Sequence, residues 1–148
     1  MISIVGSTLV SCAQGIPTKI QDAFNAKFPN AKFIKWDKEN DSEWEAEFKV
    51  DGVEHSANFS ENGTWKETEF EIKKNQLPPA VKETLERDFS GYEIESAEMT
   101  ETPELIAYEV EIEKGEETME VVIDGNGKVI RKKVKQEEDE DGDKEEKD

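Results

Sequence analysis

Few residues in this chain could perform covalent or acid–base chemistry. Among its 148 residues there is one histidine, His55, and one cysteine, Cys12. Nucleophilic catalysis needs a hydroxyl or thiol beside a base, and His55 is the one imidazole that could serve a distant serine. A single cysteine excludes an intrachain disulfide framework and a zinc knuckle. No GxGxxG or GK[ST] phosphate-cradling loop is present. Carboxylates are plentiful, and Glu45 with Glu47, then Glu109 with Glu111 and Glu113, occupy every second position. A carboxylate pair can flank a glycosidic bond as acid and base. Strand spacing makes these an outward ladder instead, and solvation is expected to leave them ordinary acidity. Asp37-Lys-Glu39-Asn-Asp41-Ser-Glu43 and Asp139-Glu-Asp141-Gly-Asp143 alternate oxygen ligands without the register of an EF-hand loop. The expectation is no catalytic residue, no cofactor and no dedicated metal site, with weak divalent cation binding left open.

The elements that must position these groups follow from an internal repeat. Ile16, Ile20, Phe24 and Phe28 recur every four residues, as do Leu77, Val81, Leu85 and Phe89 at a constant offset of 61. Spacing of four predicts an apolar stripe on a helix. Pro17 and Pro78 suit the first helical turn, and Pro29 and Gly91 end each stripe. After each helix the period falls to two. Trp44, Ala46, Phe48 and Val50, and then Tyr108, Val110 and Ile112, alternate with acids, as half-buried strands do. Asp51-Gly52 and Lys114-Gly115 are hairpin turns, with returning strands from Val53 to Phe59 and from Thr118 to Ile123. Asn62-Gly63 and Asn126-Gly127 make the next turns at an offset of 64, before final strands from Thr64 to Ile72 and Lys128 to Val134. Shorter strands are expected around Phe33 to Trp36 and Tyr92 to Ala97. His55 shares parity with Val53, Ala57 and Phe59, which points it inward or to the sheet margin. Trp65 breaks parity with Phe70 and Ile72, through either a bulge or the end of a strand.

The fold class is therefore α+β, with two tandem repeats of a helix and four antiparallel strands. The divisions are 1–15 as leader remnant and linker, 16–75 and 76–135 as the repeats, and 136–148 as an acidic tail. Each repeat alone is small enough to be marginal, so the two are expected to share a sheet or a helix layer. The chain carries 19 basic and 37 acidic residues, a net charge of −18. Such a chain repels nucleic acid and anionic lipid, because phosphate binding needs clustered Lys and Arg. Nine acids and two lysines in residues 136–148 make a block whose charges repel, expected to be disordered and solubilising or to engage a basic partner.

Residues 1–11 carry no charge and end in small residues, as the apolar core of an export leader does, although a positive start is missing. Leu9-Val10-Ser11-Cys12 resembles a bacterial lipobox, in which the thiol is diacylated and becomes the mature N-terminus. Ile16-Pro17…Phe24…Phe28-Pro29, Trp44-Glu-Ala-Glu-Phe48, Phe59-Ser-Glu-Asn-Gly-Thr-Trp65 and Leu77-Pro-Pro-Ala-Val81 form a further series. Over residues 16–135 it resembles the PepSY-like periplasmic proteins of Bacteroidetes, whose tandem modules are similar to β-lactamase inhibitory protein. The resemblance implies an envelope protein that binds or inhibits another protein, without catalytic residues. Residues that the inhibitory protein inserts into its target have no match here, so β-lactamase inhibition does not carry over.

The functional expectation is a non-enzymatic, lipid-anchored module of the periplasm or cell envelope that binds a protein partner, with a basic protein as the candidate. It touches the membrane only through Cys12. The alternative is a structural or charge-buffering envelope protein with weak divalent cation binding. Glu45, Glu47, Glu109, Glu111 and Glu113 are the expected partner-binding acids. Trp36 and Trp65 are the aromatic anchors that could join them, since aromatics supply interface energy more than other residues.

Overall fold

The computed structural model describes residues 15–135. Helix α1 (Thr18–Lys27) is followed by β1 (Lys32–Asn40), β2 (Glu43–Val50), β3 (Val53–Ser60) and β4 (Trp65–Ile72). One 3₁₀ turn, Lys74–Gln76, leads to α2 (Pro79–Asp88), β5 (Glu93–Glu101), β6 (Ile106–Lys114), β7 (Glu117–Asp124) and β8 (Val129–Lys135). All eight strands lie in one antiparallel sheet in chain order. The expected groups of four strands are thus halves of one sheet, joined where Thr68 to Ile72 pair with Ala97 to Glu101. The leader, Cys12 and the acidic tail lie outside the described residues.

Pro17 and Pro78 sit at the N-caps rather than inside the helices, so each helix begins where no N–H is needed. The stripe residues Ile20, Phe24, Val81 and Leu85 are buried, and Ile16, Phe28 and Phe89 pack half-buried beside them. Each helix rests on its own half of the sheet. Ile20 and Phe24 close over Ala46, Phe48, Ala57 and Phe59, while Val81 and Leu85 close over Val110, Ile112, Val121 and Ile123. The same device fixes both helix N-termini. A Cβ added to Gly63 would stand 2.8 Å from the Lys19 carbonyl oxygen, and one added to Gly127 would stand 2.6 Å from that of Ala80. Both glycines have φ of +88°, which a side chain rarely tolerates.

One expectation changes, one alternative is decided, and one backbone feature is new. β1 and β5 are nine residues each, not short strands. Their second halves, Asp37 to Asn40 and Glu98 to Glu101, pair although they carry little apolar signal. The parity break at Trp65 is a bulge: Asn58 faces Glu67 but Phe59 faces Trp65. Finally, Phe33 takes φ +55° where β1 slips register against β2, and its side chain is 82% exposed. Left-handed backbone costs a non-glycine residue roughly 1–2 kcal/mol.

Candidate functional site

Alternation divides the sheet into a helix-covered face and a bare one. Residues opposite Trp44, Ala46 and Phe48 across the ladder, namely Phe59, Ala57 and His55, lie with them under α1. Their neighbours along each strand point the other way; they are acidic on β2, where Glu43, Glu45 and Glu47 stand, and largely neutral on β3, where Ser56 and Asn58 stand. Strand pairing sets Glu71 opposite Glu98 and Glu98 opposite Glu109, so three carboxylates stand abreast on β4, β5 and β6. Glu111 faces Glu120 on β7, and Asp37 on β1 faces Glu45 on β2. Like charges directly opposite destabilise a sheet by a few tenths to about 1 kcal/mol per pair.

Cations enter mainly from the two edge strands, with Lys49 on β2 pairing with Glu54 on β3 at 3.1 Å. Arg131 on β8 reaches Glu109 at 3.3 Å and Glu120 at 3.0 Å, and Lys135 pairs with Glu111. Lys35 on β1 holds Asp37 at 2.6 Å and Glu47 at 3.3 Å. Glu45 accepts a hydrogen bond from Ser56. On β4 burial adds to the repulsion. Glu69, on β4, is pushed up to about 7, first by burial and then by the charges of Glu98, Glu67 and Glu109. Its side chain is hydrogen-bonded by Thr100 at 3.5 Å. Burial also raises Glu98 and Glu109 above the usual carboxylate range. The expectation of ordinary acidity along the ladder therefore fails for Glu109: the sheet itself removes water from carboxylates that already repel one another. Glu113 is exposed near the end of β6, opposite Glu93.

Trp36 and Trp65 do not join these acids. Trp36 packs under α1, with ring centroids 5.2 Å from Phe24 and 6.1 Å from Phe59. Trp65 lies against the same core, donates to Thr68 Oγ1 at 2.9 Å, and carries the Lys27 ammonium 3.5 Å from its ring centroid. His55 is stacked between Phe48 and Phe70, at 5.4 and 4.5 Å, and its Nδ1 lies 2.9 Å from the Val53 carbonyl. Inward parity placed it correctly.

Glu67, Glu69, Glu71 and Glu98 were not singled out from the sequence. Their signal, acids at every second position from Glu67 to Glu71, was readable once the bulge at Trp65 was resolved. Among the described residues no group of three His, Cys, Asp or Glu side chains converges to hold a metal ion. The Asp37–Glu43 segment is instead a hairpin closed by its own bonds: Asn40 accepts from the Ser42 amide and donates to Glu43. Among those residues no helix is long and apolar enough to cross a membrane.

The family model described as "Putative beta-lactamase-inhibitor-like, PepSY-like" matches residues 8–54 and 42–131. The chain belongs to this PepSY-like family. Solved structures share the PepSY-like fold seen here. A BLIP-like protein from Bacteroides fragilis NCTC 9343 is 27% identical at TM-score 0.72, over 83% of this chain and 89% of its own. A DUF2874 family protein from Bacteroides uniformis ATCC 8492 is 20% identical at TM-score 0.71, over 80% and 88%. One from Bacteroides eggerthii DSM 20697, described as "putative periplasmic", is 18% identical at TM-score 0.71, over 81% and 89%. No curated protein matches the sequence.

Proposed function

We propose that this PepSY-like chain is a non-enzymatic binding module of the cell envelope, anchored by a lipid on Cys12, that docks a cationic protein on the bare face of its sheet. The row Glu71, Glu98, Glu109 carries the reading. Carboxylates set abreast on neighbouring strands repel one another, and a basic surface laid across the row offsets that repulsion. Cations on β1 and β8 offset the flanks, and Glu67, Glu69 and Glu71 on β4 supply the acidic centre. The anchoring reading rests on the uncharged run before Cys12 and on the small residues beside it. We also read the two halves, 16–75 and 76–135, as copies of one helix-and-four-strand module, on the matched glycine contacts of Gly63 and Gly127.

The test compares wild type with a variant in which Glu71, Glu98 and Glu109 are all changed to Gln, each used to capture protein from envelope extract and then measured against the captured protein over a salt series. A stoichiometric protein whose on-rate falls with salt, and which the variant binds more slowly and with weaker salt dependence, supports the proposal. Equal kinetics in the two proteins overturn it. Saturable calcium binding without any captured protein favours the charge-buffering alternative.

A further inference from the structure

The two halves differ at one place where their equivalence is otherwise close. Under α1 the rings of Phe24, Phe28 and Phe48 interlock, with centroids 4.6 to 5.3 Å apart. The equivalent residues under α2, at the offsets of the repeat, are Leu85, Phe89 and Ile112. Two of the three rings are missing, and an open cleft of about 490 Å³ lies there, walled by these residues with Tyr92, Ile94 and Glu86.

Position 33 differs in the opposite sense. Its equivalent, Ile94, faces Ile112 and packs against the second core. Both strands slip register at this point. In β1, however, left-handed backbone turns Phe33 out of the fold, leaving it 82% exposed beside Ile34, which is 43% exposed. The same molecule thus presents an aromatic knob on one half and, on the other, an open cleft where two of the three interlocked rings are absent. The charges beside them are complementary. Lys32, next to the knob, stands opposite Lys49, and neither Lys32 nor Glu86 in the cleft wall has an ion-pair partner among the described residues. Lys82, also in the wall, is turned away to the Asn75 carbonyl at 3.0 Å.

We infer that Phe33 of one molecule seats in the cleft under α2 of a second copy of this chain, with Lys32 of the first facing Glu86 of the second. The contact joins two different surfaces. It closes as a pair when both molecules exchange knobs, and extends as a row when they do not. It does not involve the acidic face, so it stands or falls separately from the binding role proposed above.

Sedimentation velocity of the full chain, from micromolar to millimolar concentration, tests this with two variants. Phe33→Asp removes the knob at an exposed site. Leu85→Phe fills the cleft with the ring that Phe24 supplies in the first half, and Ile112→Phe is a second filling variant if the first melts early by circular dichroism. Wild type is expected to self-associate, and either variant alone to associate at least about tenfold more weakly, as loss of a buried aromatic anchor does. An equimolar mixture of Phe33→Asp and Leu85→Phe is expected to regain association, because one retains the cleft and the other the knob. A wild type that stays monomeric throughout overturns the inference and leaves the cleft to a foreign apolar group. Variants that associate like wild type, or a mixture that stays monomeric, overturn it as well.

Discussion

The buried hydroxyl of Thr84, on α2, is hydrogen-bonded to the carbonyl oxygen of Gly127, in the turn between β7 and β8, at 2.5 Å. Helix and turn meet so closely that the turn residue must lack a side chain. Gly127→Ala would set a methyl group against backbone at φ +88°. It is expected to destabilise by about 2–3 kcal/mol in urea unfolding. Gly115, at φ +65° with open space around it, is the control, and its change to Ala is expected to cost about 1 kcal/mol.

Phe24 is buried and touches the rings of Phe28, Trp36, Phe48 and Phe59. Phe24→Ala should cost about 3–5 kcal/mol, and Leu85→Ala, at the equivalent site with fewer neighbouring rings, about 2–5 kcal/mol. Deletion of residues 136–148 should leave the melting temperature nearly unchanged. A large shift on that deletion would place part of the core's support in the tail.

Glu69 gives the fold a pH dependence of known sign. Its folded value of about 7 lies above its ordinary 4.5, so between those values the folded chain binds more proton than the unfolded one. The stabilisation from that proton is complete below the unfolded value and is lost as pH rises through 7. Melting temperature should therefore fall between pH 5 and 8 in the wild type. Glu69→Gln should flatten the fall and raise stability at pH 8 by about 1 kcal/mol, after allowance for the side chain's partial exposure. At pH 4 the two proteins should melt alike.

If Cys12 is lipidated, Cys12→Ser should shift the protein from the membrane fraction to soluble or unprocessed material. Mass spectrometry of the native protein showing an unmodified thiol would end that reading.

Much of this fold was legible because burial is periodic. Ile20 and Phe24, or Val110 and Ile112, announce their elements through spacing alone. What was not legible depends on pairing across strands. That Glu71, Glu98 and Glu109 stand abreast is decided by the register of β4 against β5 and of β5 against β6, and no local pattern records it. Trp36 could not be assigned a face because β1 slips register just before it, between Lys32 and Lys35. The outward turn of Phe33 is a backbone exception, which hydrophobic patterning reads as core.

Every strand pairs only with strands adjacent in sequence, and the buried residues of each core come from one half of the chain. Every ladder except that of β4 with β5, which spans α2, therefore closes a short loop, the cheapest closure in chain entropy, and the search for native contacts is mostly local. The order of the chain is also an order of assembly. Emerging N-terminus first from a ribosome or a narrow export pore, this molecule can complete α1 and its four strands before α2 appears, and β4 then offers the second half a finished edge on which to grow.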